Sequence, residues 1–291
     1  MAFVRRYAER DDHWRWPWPP RRRDPSGTAS TAHQPEAATA QRLMSKSDPM
    51  KLPRIVERHP YWFVAILELI IIAVYLMAGT IAHLAQISNQ AITGIANTTL
   101  SVLVIGALSA LGWWRAVGFR RPAHPRDLLF FLPLLLPVLL NLGVGLNVPG
   151  PLLVTQLLAL AFLIGFAEEA IFRGLMLNAL KPRGLWQAAI ITALLFGLSH
   201  ALNLLSGKSG VEILIQIAYA LAVGFAFAAV VLKKGLLWPL VIVHALINFT
   251  SFIGKDSLPA FWNTVAGGAL TFLFMAYGLN LMRQPSAHAG Q

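Results

Sequence analysis

The sequence contains no cysteine, which excludes a disulfide framework and any thiolate nucleophile or ligand. It is also short of charge: Asp, Glu, Lys and Arg together make up 13% of its 291 residues, about half the ~25% of an ordinary soluble domain. That shortage argues against a soluble all-helical core. No internal repeat is evident, no H-E-x-x-H is present to seat a zinc ion with its base on one helix, and no apolar stretch follows the early arginines closely enough to make a cleaved signal peptide. The formal net charge of +11 would suit a nucleic-acid partner, but position argues against one. Twelve of the 24 Lys and Arg precede residue 60, and most of the others fall in short loops.

What the chain has in abundance is apolar length. Hydrophobic residues make up 56% and the mean hydropathy is +0.58. Apolar runs recur from Tyr61 to Met282, each near the ~20 residues that a membrane-spanning helix needs. The expected fold is therefore all-α, a polytopic membrane helix bundle of about eight transmembrane helices. The spans fall at 60–84, 92–114, 127–147, 151–180, 185–204, 211–232, 236–253 and 260–282, with a kink expected in the third at Pro133 and Pro137. Residues 1–57 lack apolar periodicity and read as a disordered basic cytoplasmic arm. The transmembrane domain then covers 58–284, and 285–291 form a short tail. In the arm, "HWRWPWPPRRRD" suits the lipid headgroup layer, and equally a solvated tail that helps fix topology. If the N-terminus is cytoplasmic, one side of the membrane receives the arm and nine further basic residues. The other receives only Lys208 and Lys255. That bias gives an N-in, C-in orientation.

Few ionisable groups lie well inside the spans: Glu68, Glu168, Glu169, Arg173, His200 and His244. Each is costly there unless paired or put to use. Glu169 and Arg173 are four residues apart and share a helix face, as a structural ion pair would. Glu168 is turned about 100° away with no local partner, which leaves it able to face a cavity. Phe196 and His200 share a face of the next span, the phenylalanine as packing, and His244 shares a face with Asn248 further on. Three helices thus offer a carboxylate, two imidazoles and a carboxamide. Such a set can hydrolyse a peptide bond without a nucleophilic side chain. Glu168, helped by His200, would deprotonate and orient a water, while His244 and Asn248 would donate hydrogen bonds to the developing oxyanion. Glu168, His200 and His244 could alternatively hold a zinc ion, although three separate helices and the neighbouring Asn248 favour metal-free chemistry with no cofactor. Glu68 stands alone in the first span, Asn97 and Asn141 suit packing between helices, and Asn147 falls at a span end.

In order, "EEAIFR" (Glu168, Glu169, Arg173), "FGLSH" (Phe196, His200) and "HALIN" (His244, Asn248) resemble the E-E-x-x-x-R, F-x-x-x-H and H-x-x-x-N motifs of the type II CAAX prenyl endopeptidases. The same family is called the CAAX protease and bacteriocin-processing, or Abi, family in bacteria. The likeness covers about residues 160 to 250, and the eight-span layout resembles the family's as well. It implies an intramembrane endopeptidase with a glutamate-activated water. In the family's assignments the water belongs to Glu168 and His200, and the oxyanion to His244 and Asn248. Family members were long labelled metalloproteases, so zinc stays open. The implied partners are a peptide or protein substrate, lipidated or bearing a leader, together with membrane lipids. The composition suggests a bacterial cytoplasmic membrane. The competing reading is a non-catalytic membrane scaffold, an immunity or regulatory factor that retains the motifs for stability.

Overall fold

Residues 53–206, 210–255 and 258–284 are described by the computed structural model of the chain. The expected arm lies outside the described residues up to position 52, as does the tail 285–291. The arm's last residues are already ordered: α1 (Arg54–Arg58) buries Val56, so folded structure starts a few residues ahead of the expected boundary.

Every extended apolar run forms helix, because no other structure satisfies a backbone inside hydrocarbon from within one segment. The main helices are α2 (Pro60–Ala85), α3 (Asn89–Leu111), α4 (Leu136–Val144) and α5 (Pro151–Glu169). After them come α6 (Leu177–Leu180), α7 (Leu185–Ser199), α8 (Gly210–Lys234), α9 (Trp238–Phe252) and α10 (Ala260–Arg283). Proline stands in the first turn of α2, α4, α5 and α9, where its missing N–H costs nothing. The third expected span is not one α-helix. It opens as a 3-10 helix over Pro125–Leu135 and turns α-helical at Leu136, with Pro133 and Pro137 on either side of the change.

Among the described residues, seven helical stretches are long and apolar enough to cross a membrane, and an all-α polytopic bundle is the fold. The seventh expected span is a short one. As α9 it has 15 residues, or about 22 Å of helix, against a hydrocarbon core of ~30 Å. α8 is the central rod: Ala222 through Val231 are all buried, as expected of a helix apolar on every side. It packs against α7 and α10, while α5 packs against α9 and α3, and α3 against α2.

Both ends of α9 are tied by backbone bonds. At its start, Leu237 N donates to Gly118 O at 3.0 Å. Gly118 has φ +112°, and a Cβ there would lie 2.6 Å from Leu237 N. Arg120 Nε donates to Gly235 O, and Trp238 Nε1 to Arg120 O, each at 3.0 Å. At its end, Asn147 N donates to Ile253 O at 2.7 Å and Lys255 N to Gly145 O at 3.0 Å. Asn141 adds hydrogen bonds to Thr250 and Ser251. The helix that carries His244 and Asn248 is thus held in register from both sides of the bundle.

Candidate active site

Glu168 and Glu169 close α5, and the chain passes directly into a π-helical turn, Ala170–Met176, in which Leu177 N donates to Phe172 O five residues back. Such widened turns cost hydrogen-bond geometry and recur at functional sites. Glu169 points inward and is completely buried. Its Oε1 accepts from Arg173 Nη1 at 2.9 Å, as the four-residue spacing implied. The same oxygen also lies 2.8 Å from His244 Nδ1, a contact across 75 residues of sequence.

Arg173 is as deeply buried as its partner. Its Nη2 donates to Gly224 O at 3.4 Å, and its guanidinium carbon stands 4.2 Å from the centroid of the Phe196 ring and 5.4 Å from that of Phe227. An ion pair removed from water is tolerable only with such additional partners. Gly224 leaves the space for this packing, since a Cβ there would lie 3.0 Å from Phe196 and 3.3 Å from Arg173 Nη2. Phe196 also packs edge-on against Phe172, His200 and His244. It is the aromatic floor shared by all three motif segments.

A second glycine brings α9 to the glutamates. A Cβ on Gly165 would lie 2.9 Å from Val241 O and 3.0 Å from Ala245 N, so the α5 and α9 backbones nearly touch one turn before Glu168. His244 lies between those two contact residues. An ionised Glu169 can only accept, so His244 Nδ1 carries a hydrogen. His244 Nε2 then faces Glu168, 3.7 Å from its Oε2. That separation is too long for a direct hydrogen bond, and a water fits as the link.

His200 begins a 3-10 segment, His200–Ser206, just past the end of α7. Its Nδ1 lies 2.7 Å from Phe196 O. A carbonyl only accepts, so Nδ1–H is the donor and the Nε2 lone pair of the neutral ring is free. Glu168 and His200 line one cavity of about 60 Å³ together with Tyr75, Ser199 and Asn203, room for a few waters. Apolar walls come from Ile71, Leu100, Ile171 and Phe172.

The structure therefore brings Glu168, His200 and His244 together, with Glu169 and Arg173 directly behind them. Asn248 is one turn beyond His244 but does not line the cavity, and its Nδ2 is buried with no partner. Glu68 does not line the cavity either, although its Oε2 is buried and unpaired. Among the described residues, no group of three His, Cys, Asp or Glu is placed to hold a metal ion. Three features were not visible in the sequence: the bond from His244 to Glu169, the π-helical turn, and the contribution of Tyr75 to the cavity. Contacts between distant helices leave no local spacing to find. A tyrosine well inside the first span, flanked by apolar residues, was the one available sign of the last.

Residues 150–250 match the family model described as Type II CAAX prenyl endopeptidase Rce1-like. The matched segment contains α5, the π-helical turn, α7, α8 and most of α9, and with them all three motifs. No curated protein and no solved structure matches the chain. The family is one of CAAX-type proteases that act on peptide or protein substrates within a membrane.

Proposed function

We propose that the chain is an intramembrane endopeptidase of the CAAX type, in which Glu168 activates a water for attack on a peptide carbonyl. The observation that carries this reading is the sharing of one cavity by Glu168 and His200, with His244 Nε2 3.7 Å from the Glu168 carboxylate. A water between them donates one hydrogen to Glu168 and another to the free Nε2 of His200, which orients its lone pairs toward an incoming carbonyl. As the water adds, its proton passes to Glu168 and the carbonyl electrons move onto oxygen. His244, as an imidazolium that keeps its Nδ1–H on Glu169 and donates from Nε2, and Asn248 through its unpaired Nδ2, supply donors to that oxyanion. The carbon–nitrogen bond then breaks, and Glu168 returns the proton to the leaving amine.

Glu169 has a different part. It neutralises Arg173 and fixes the tautomer of His244, so it is a positioning residue rather than a second base. No step is routed through a metal, and cleavage is expected to survive excess chelator. The substrate is a membrane-associated peptide segment, either a lipidated C-terminus or a leader peptide.

Profiling protein termini in cells expressing the chain, lacking it, or carrying Glu168→Gln tests the proposal. At least one membrane-associated protein is expected to persist uncut in both the deletion and the variant. If the variant restores the wild-type profile, the chain works as a scaffold and the proteolytic reading fails.

A further inference from the structure

The catalytic cavity has a wall that the motif-bearing segment does not supply. Tyr75 on α2 lines it together with Glu168 and His200, and lies well outside the matched residues 150–250. Behind Tyr75 stands Asn97 on α3, completely buried. Asn97 Nδ2 reaches the Tyr75 hydroxyl at 3.0 Å and Thr93 O at 2.9 Å. The carbonyl of Thr93 can only accept, so the nitrogen of the Asn97 amide must be the atom that faces both. Turning the amide over would set oxygen against oxygen.

The direction of the second bond follows. Asn97 donates to the phenolic oxygen, and the hydrogen of Tyr75 is not used on Asn97. Among the described residues no acceptor takes it. Tyr75 is half-buried and lines the cavity, so the hydrogen that Asn97 leaves unused is available to a group bound there.

From this geometry we infer that Tyr75 is a hydrogen-bond donor to the reacting carbonyl, supplied by the first membrane helix and held in place by Asn97. The inference rests on the proteolytic reading above. In the addition step the water oxygen bonds to the carbonyl carbon, Glu168 takes the water's proton, and the carbonyl π electrons become the oxyanion lone pair. Tyr75 donates a hydrogen bond to that oxyanion without surrendering its proton. When the carbon–nitrogen bond breaks, the lone pair re-forms the carbonyl and the proton on Glu168 passes to the leaving amine. A donor of this kind is stronger toward the transition state than toward the neutral carbonyl, so its removal lowers kcat more than it raises KM.

The test uses the full chain in lipid vesicles and a quenched, farnesylated peptide ending in Cys-aliphatic-aliphatic-X. Wild type, Tyr75→Phe, Asn97→Leu and Glu168→Gln are compared for kcat, KM and thermal unfolding. Tyr75→Phe removes one oxygen and keeps the ring. It is expected to lower kcat about 100-fold, the size of a lost oxyanion donor, with KM within about threefold and unfolding unchanged. Asn97→Leu is expected to lower kcat less, because the phenol stays but loses its anchor. If wild type cleaves and Tyr75→Phe cleaves equally well, the inference is overturned and the protease reading stands. If Tyr75→Phe lowers only the unfolding temperature, Tyr75 is a packing residue and the inference is again overturned. If wild type leaves the peptide intact, the CAAX-type reading fails and takes the inference with it, an outcome distinct from the other two.

Discussion

Glu168 and Glu169 are neighbours in sequence with opposite surroundings. Glu168 is partly open to a cavity, while Glu169 is sealed against a guanidinium and an imidazole. The same substitution should therefore have different consequences at the two positions. Glu168→Gln keeps volume and removes the base, so cleavage should fall by at least about 100-fold with the thermal unfolding of the purified protein unchanged. Glu169→Gln leaves Arg173 as a buried charge without its counter-ion, a change that costs about 3–5 kcal/mol. It should lower the yield of folded protein, measured by size-exclusion chromatography in detergent, and leave the surviving molecules impaired because His244 loses its orienting partner. The pairing of Glu169 with Arg173 was legible from a four-residue spacing. The second partner of Glu169 was not, because the periodicity of one helix says nothing about which distant helix faces it.

At the scale of elements, the site depends on two close helix approaches. Gly165 lets α5 meet α9, and Gly224 lets α8 pass Arg173 and Phe196. Gly165→Ala would place a carbon 2.9 Å from Val241 O, in contact with backbone on both sides. Backbone cannot move aside as a side chain can, so about 1–3 kcal/mol of overpacking strain is expected, together with displacement of His244 from Glu168. Differential scanning of the purified variant should show a lower unfolding temperature, and its cleavage rate should fall further than that of a variant at Gly106, where an added Cβ meets nothing within 4 Å. Helix existence was readable from apolar run length alone. The 3-10 opening of the third span and the π-helical turn after Glu169 were not, since hydropathy reports burial in lipid but not the pitch of the backbone. The short seventh expected span, now α9, shows the same limit: its flanking apolar residues 236, 237 and 253 extend the hydropathy pattern beyond the helix itself.

On the whole-molecule scale, the motif-bearing helices form two packed pairs, α7 against α8 and α5 against α9, and Arg173 joins the pairs by bonding both Gly224 O of α8 and Glu169. The positive-inside bias predicts a cytoplasmic N-terminus, and the absence of cysteine makes that testable. A single cysteine at Arg121 should be labelled by an impermeant maleimide from the cytoplasmic side of sealed membranes, and one at Asn147 from the opposite side. Reversed labelling would invert the topology without disturbing the site. The polar character of the cavity was legible as a set of ionisable residues that an apolar helix carries only at a cost. Tyr75 was not, because a phenol in a membrane helix is unremarkable until its hydrogen-bond partners are known.

The most direct measurement is cleavage of one defined peptide by the purified chain in lipid vesicles, comparing wild type with Glu168→Gln at equal amounts of folded protein and in excess chelator. The account predicts cleavage by the wild-type protein that chelator leaves intact, and no detectable product from a variant that unfolds at the same temperature. A Glu168→Gln protein that still cuts at the wild-type rate would contradict it.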